Sequence, residues 1–489
     1  MFGTSRNSWC LLCVGMAVAV GAAQAGPVDD APVAAAQEIP TETLSFADAS
    51  GPPDLSCKQA LASLSSAPKK PTGKTSTTSP PKPDPTGMPV LVVDGTDRAI
   101  SGLPGSQPET LPPQPLEGRP EVLARIDDAM QRGDSGERVR FAFFGASHTG
   151  GDFWTGHIRR VLQDRWGDLG HGFVLPAALY RGYRGNDVNL CRTNGWLSDW
   201  AGKANGHRDS RLGFAGMSVS SSNALDFGWV ETTRTNPHGQ AVAWFDVYFL
   251  AQPQGGTLEI TVDLSPSQTL STKAPSPELR RVRVKVPDGK HRLTLSPTGD
   301  GEVRLFGVSM ERAGGGALVD AMGIRGRQAK TWLEWDLEMA GAGWGALDPD
   351  LIVLAYGTNE AADQRYTMAA YERDLRAVLT RLRAEVPESV PCVLVGPSDR
   401  GYRLKKNENR FAVWDRTLPV AEVQRAVAPD FGCAFWDWQQ ATGGPGSMVA
   451  WRFLEPQLAA GDFIHHTAAG YRWVGDAFVA SLDALRSVD

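Results

Sequence analysis

The chain has 489 residues, 42% of them hydrophobic and 21% charged, with a net charge of −6. That length allows about two to four domains, and the apolar share is enough for ordinary globular cores. The mild acidity and the lack of a basic patch argue against a nucleic-acid partner.

In chain order, the N-terminus reads as a secretory signal. Arg6 supplies a short basic region, "WCLLCVGMAVAVGAA" is the apolar stretch, and Ala23-Gln24-Ala25 is an A-x-A cleavage site. The stretch is too short for a membrane span. Cys13 follows Leu12 and Cys10 follows Trp9, which disfavours a lipoprotein signal. No later segment approaches 18 apolar residues, so no transmembrane segment is expected, and the mature protein is expected to be secreted or periplasmic. Cleavage after Ala25 leaves Cys57, Cys191, Cys392 and Cys433. An oxidising compartment permits disulfides, but four cysteines allow three full pairings, and free buried thiols stay open.

Residues 26–118 read as a disordered linker rich in Pro, Ser and Thr, with a short helix around "DLSCKQALASL". Such a segment serves equally as a tether or as a plain spacer. Order is expected from Arg119. "RPEVLARIDDAMQRG" has a helical apolar period and ends at Gly133. Val139 to Phe144 is a buried-strand run that stops at Gly145, and "WTGHIRRVLQDRWG" is helical again. Residues 119–208 thus open an α/β domain. Between 209 and 312 the texture becomes short alternating runs such as "QAVAWFDVYFLA", "GTLEITVDL" and "LRRVRVKVP", which predict an antiparallel β-sandwich or jelly roll. Residues 313–489 return to alternating strands and helices. "DPDLIVLAYGTNE" is a strand running into a turn, and "TMAAYERDLRAVLTRLRAEVP" is an amphipathic helix with Thr367 as N-cap. The fold class is α/β: a three-layer, flavodoxin-like parallel sheet interrupted by the β-rich insertion.

Chemistry in such sheets gathers at the C-terminal strand ends. Four loops there carry Ser147, Gly323-Ile-Arg-Gly326, Gly357-Thr-Asn359 and Asp462-Phe-Ile-His465. A serine hydroxyl becomes a good nucleophile only when a base takes its proton. His465 is the candidate base and Asp462 the group that orients it. Donors for an oxyanion would be the Ser147 N–H, a glycine N–H and the Asn359 amide. Taken singly, Ser147 is also a natural helix N-cap and Asn359 a natural turn residue. His466 and His148 read as bystanders, with His148 a candidate for the pocket wall. Trp229, Trp244, Tyr248 and Trp196 could stack on sugar rings or fill a sandwich core. There is no HExxH, no cysteine pair at zinc spacing, no G-x-G-x-x-G and no P-loop. The serine also lacks the G-x-S-x-G elbow. No metal or other cofactor is implied.

The four blocks "FFGASHTGGD", "DAMGIRGRQA", "LAYGTNE" and "GDFIHHTAAGY" resemble, in order, those of the SGNH (GDSL-type) hydrolases. The resemblance implies Ser147 as nucleophile, Gly326 and Asn359 as oxyanion donors with Gly323 the alternative glycine, and Asp462 with His465 completing a triad. The Gly-x-Ser-His first block and the β-rich insert between the first two blocks are similar to the periplasmic peptidoglycan O-acetylesterases, whose insert is carbohydrate-binding-like. That implies an O-acetylated glycan as substrate and Trp229, Trp244 and Tyr248 as candidate glycan contacts. Two positions depart from the family pattern: Ala146 stands where an aspartate usually precedes the serine, and Glu360 where an aspartate often follows the asparagine. The open alternatives are a deacetylase or acetyltransferase for another polysaccharide, and a non-catalytic glycan-binding protein. Oligomeric state is left open.

Overall fold

The computed structural model describes residues 38–63, 88, 90–93, 100–101 and 111–487, with breaks at 178–179, 181–182, 204–205, 235 and 406–408. The signal-peptide reading of residues 1–25 lies outside the described residues.

The centre is a five-stranded, all-parallel sheet. Its spatial order is Gly316–Gly323, Arg138–Gly145, Leu351–Ala355, Cys392–Val395, Cys433–Trp436. In chain order this is 2-1-3-4-5, the flavodoxin-like arrangement. Side chains alternate between the faces of a strand, and both faces here are covered. Val139, Phe141 and Phe143 point into one core with the helices Pro120–Asp134, Trp154–Trp166 and Ala468–Asp483. Ala142 and Phe144 point into the other, with Leu337–Leu347, Met368–Glu385 and Thr417–Val427. This is why residues 141–144 are continuously apolar rather than alternating. Thr367 caps its helix as expected, its hydroxyl accepting the Ala370 N–H at 3.2 Å.

The β-rich stretch builds two largely antiparallel sheets. One has seven strands, running from Thr41–Ser45 through Glu278–Gly289, Val242–Ala251, Val303–Glu311 and Met217–Ser221 to Leu197–Trp200, with Gly172–Val174 added on Val303–Glu311. The other has five: Gln268–Ser271, Thr257–Val262, Arg292–Pro297, Gly228–Thr232 and Val188–Arg192. Val247, Val282 and Val308 of the first share a core with Val230, Ile260 and Leu295 of the second. The opposite face of the seven-stranded sheet, at Tyr248, Leu250 and Phe306, packs with Phe214, Trp335 and Trp344 onto the helical layer. A buried charge cluster crosses the junction. Arg140 of the central sheet pairs with Glu311 and Asp320, and donates to Ser309 Oγ and to the Leu347 carbonyl. Removing one partner from such a cluster typically costs about 3–5 kcal/mol.

Two sequence expectations are corrected here. Residues 172–174, 188–192 and 197–200 pair into these sheets, so β structure begins well before residue 209. And the span 26–118 is not linker throughout. Thr41–Ser45 pairs in parallel with Arg281–Lys285, Cys57–Ser63 is a helix, and Cys57 is bonded to Cys191. Val90–Val93 pairs with Arg410–Ala412, in a four-stranded sheet that also holds Gly401–Arg403. Composition shows only that a segment has no core of its own; it does not reveal an edge or a thiol provided by residues 134 to 322 positions away. Cys392 and Cys433, cross-strand neighbours in the central sheet, form the second disulfide. Among the described residues no helix is long and apolar enough to cross a membrane.

Candidate active site

The strand Arg138–Gly145 ends in a turn that leads into the short helix Ser147–Gly150. Gly145 must be glycine, because a Cβ there would meet Thr149 Oγ1 at 2.3 Å and the Ala355 carbonyl oxygen at 2.7 Å. Ser147 is therefore presented at the C-terminal edge of the sheet. From the far end of the sequence comes the turn Gly461–His465. Phe463 takes a left-handed conformation, φ 57°, which is uncommon for a residue with a Cβ. It folds the turn so that Asp462 Oδ1 accepts the N–H groups of Ile464 at 3.1 Å and His465 at 3.0 Å. Asp462 Oδ2 is 2.7 Å from His465 Nδ1, and His465 Nε2 is 2.8 Å from Ser147 Oγ. Two side chains 318 positions apart in sequence thus meet at hydrogen-bond distance, in line with a carboxylate.

Burial alone would raise the Asp462 pKa. The hydrogen bonds from the His465 ring and backbone outweigh it and hold the carboxyl well below the usual range. An ionised Asp462 fixes the proton on Nδ1 of His465, leaving Nε2 as the acceptor that faces the hydroxyl. The side chains of His465 and Asp462 are 35% and 47% exposed, so solvent reaches them.

The two competing glycines are in different settings. Gly323 is wedged against the serine turn, where a Cβ would lie 2.0 Å from the Gly150 nitrogen. Gly326 is exposed, has φ 71° and has nothing within 4 Å of a Cβ. Asn359 Nδ2 donates to the Arg327 carbonyl at 2.8 Å, which holds the third loop against the second beside Gly326. Glu360, one of the two departures, is buried and accepts the N–H groups of Gly357 at 2.9 Å and Ala329 at 2.7 Å. Burial raises its pKa, with those N–H groups opposing. It fastens both loops, a role its spacing alone does not reveal. Ala146, the other departure, is buried.

His148 is not an open pocket wall. It is buried beneath His465, their rings 5.1 Å apart, with Nδ1 at 2.8 Å from the Tyr471 hydroxyl and Nε2 at 3.1 Å from Ser398 Oγ. Burial lowers its pKa well below the ordinary value, so it stays neutral beneath His465. His466 is buried and stacked on Trp438, at 5.7 Å and 7°, and burial pulls it down to about 3. The loop Pro397–Arg400, which brings Ser398 to this floor, was not among the four loops expected. The signal was available, since it follows the central-sheet strand Cys392–Val395.

Three of the four aromatic candidates for glycan contact are corrected. Tyr248 is fully buried at the junction. Trp229 is buried, stacked on Phe227 at 5.6 Å and covered by Arg292 at 3.9 Å. Trp196 is buried as well. Trp244 is half-buried under Arg283, 5.0 Å from its ring.

The chain has the SGNH hydrolase fold, and residues 294–473 match the GDSL-like Lipase/Acylhydrolase family. Among solved structures it is similar to a peptidoglycan O-acetylesterase, at 26% identity and a TM-score of 0.61, over 75% of this chain and 96% of that one. A family two carbohydrate esterase from Cellvibrio japonicus matches over 61% of this chain and 99% of that one, at 11% identity and a TM-score of 0.24, too slight to bear on function. No curated protein matches the chain. The family match begins after the first block, so Ser147 reaches the site from outside the matched span.

Proposed function

We propose that the chain is an exported serine esterase that removes O-acetyl groups from a cell-wall glycan, with peptidoglycan acetylated on the 6-hydroxyl of N-acetylmuramic acid as the preferred substrate. The observation that carries this is the 2.8 Å contact between Ser147 Oγ and His465 Nε2, with Asp462 behind. Ser147 Oγ attacks the acetyl carbonyl as its proton passes to Nε2. The tetrahedral oxyanion is received by the Ser147 and Gly326 N–H groups and the Asn359 amide, donors of a kind each worth about 3 kcal/mol in the transition state. The imidazolium returns its proton to the departing sugar oxygen. Water, activated by the same nitrogen, then releases acetate and restores the serine. Gly326 is preferred to Gly323 because it is exposed and unobstructed, whereas Gly323 is occupied in packing.

The structural likeness to a peptidoglycan O-acetylesterase supports the substrate class. Two disulfides are compatible with export. We further read the two antiparallel sheets as a carbohydrate-binding-like sandwich inserted between the first and second blocks, which helps to hold the glycan. The test is Ser147→Ala in the purified protein. Acetate release from p-nitrophenyl acetate and from O-acetylated sacculi is expected to vanish with the melting temperature unchanged, and retained activity would end the esterase reading.

A further inference from the structure

The loop after the strand Cys392–Val395 is tied down along its length. Ser398 bonds to His148, and Asp399 accepts the N–H groups of Gly446 and Met448, each at 3.0 Å. Gly401 N–H donates at 3.0 Å to the carbonyl of Phe463, the residue after Asp462. Between these anchors stands Arg400. Its guanidinium carbon lies 4.2 Å over the Trp414 ring, and Trp414 Nε1 donates at 2.8 Å to the carbonyl of Ala361, two residues past Asn359. Arg400 is thus bracketed by the acid–base turn on one side and, through Trp414, by the asparagine-bearing helix on the other.

This arginine differs from the fully buried ones. Arg140 pairs with Glu311, Arg159 with Asp152, Arg292 with Glu231 and Arg304 with Asp209. The half-buried side chain of Arg400 makes no hydrogen bond or ion pair with any described residue. Withdrawing a cation from water without an anion is costly, and stacking on an indole contributes only about 0.5–2 kcal/mol. Among the described residues the carboxylate that acts on it is Asp462, whose oxygens are already engaged by His465 and Ile464. Burial draws the guanidinium down to about 10, with Asp462 opposing, so it is charged at neutral pH. An unpaired, pre-oriented guanidinium beside the triad has the chemistry of a carboxylate receptor.

We propose that Arg400 determines specificity, as a cationic subsite that receives a carboxylate carried by the sugar whose ester is cleaved. The inference rests on the esterase reading and narrows it to acylated acidic sugars. N-acetylmuramic acid meets the requirement where its lactyl carboxyl is free of a stem peptide, since that carboxylate and the 6-O-acetyl ester are then borne by one ring. N-acetylglucosamine lacks the carboxylate.

The test compares 6-O-acetyl-N-acetylmuramic acid, 6-O-acetyl-N-acetylglucosamine and p-nitrophenyl acetate. In Arg400→Met, kcat/KM for the acidic sugar is expected to fall about tenfold or more, mainly through KM. The two neutral esters are expected to be unaffected, and Arg400→Lys to keep part of the preference. Equal loss on all three substrates would mean that Arg400 acts through Asp462 or the fold, and no loss would mean that it has no role; either overturns the proposal. Calorimetric titration of the full chain with N-acetylmuramic acid and N-acetylglucosamine separates this from the catalytic reading. If the wild type releases no acetate, the esterase reading fails, while acid-selective binding lost in Arg400→Met would still establish the subsite. Absence of acid-selective binding overturns the subsite.

Discussion

The parallel sheet and the two antiparallel sheets use similar residues to opposite ends. Around the parallel sheet, aromatic rings from its surrounding loops and helices back polar groups: Trp438 lies under His148 and His466, Tyr471 bonds to His148, and Trp414 carries Arg400. In the antiparallel sheets Tyr248, Trp229 and Trp196 are buried within the packing. The difference follows from topology. A parallel strand ends in a crossover loop that is free to carry chemistry, whereas a mid-strand residue between stacked layers only fills space.

Breaking the triad gives the largest expected contrast. His465→Ala, like Ser147→Ala, is expected to lower kcat for p-nitrophenyl acetate by about 10⁴-fold or more, with no change in melting temperature. Tyr248→Ala reverses the pattern. It is expected to cost about 3–5 kcal/mol in urea unfolding, with kcat per folded molecule intact. Tyr248→Phe is expected to be neutral, because the hydroxyl has no hydrogen-bond partner. A large fall in activity per folded molecule in either Tyr248 variant would erase the division between the regions. Asn359→Ala is expected to lower kcat by about 10²–10³-fold with a small change in KM. A change confined to KM would remove Asn359 from the oxyanion site.

The smallest effect is a pH slope at the seam between the regions. His171 is buried, with Nε2 at 2.8 Å from the Asn186 carbonyl, and burial lowers its pKa to about 4. The unfolded chain protonates near 6.5 while the folded chain does not, so this term is fully present above pH 6.5 and is lost as the pH falls towards 4. His171→Gln is expected to flatten stability against pH by about 1.4 kcal/mol per unit within that window, as read by unfolding at several pH values. An unchanged slope would contradict a neutral buried imidazole.

The alternating strands and helices of the α/β region were legible because each element's apolar period is local. So was the Asp462–His465 pair, whose spacing within one turn lets the carboxylate reach both the ring and the backbone. The roles of Glu360, Ser398 and Arg400 were not legible. Glu360 joins loops through Ala329, 31 positions away, and Ser398 meets His148 across 250. The aromatic residues misled for a related reason: a period of two shows which side chains share a face of a strand, not whether another layer covers that face.

The amino-acid sequence by itself determined the order of the strands and helices in the α/β region, the strand-end position of Ser147 and the local geometry of the Asp462–His465 turn, because these depend on neighbours a few residues apart. Only the tertiary structure decided that serine and histidine meet, that Gly326 is open while Gly323 is packed, which cysteines pair, and that the segment before residue 118 is partly built into the sheets. Those outcomes depend on which surfaces a parallel sheet and its crossovers bring together, and no local pattern encodes the partner supplied from hundreds of residues away.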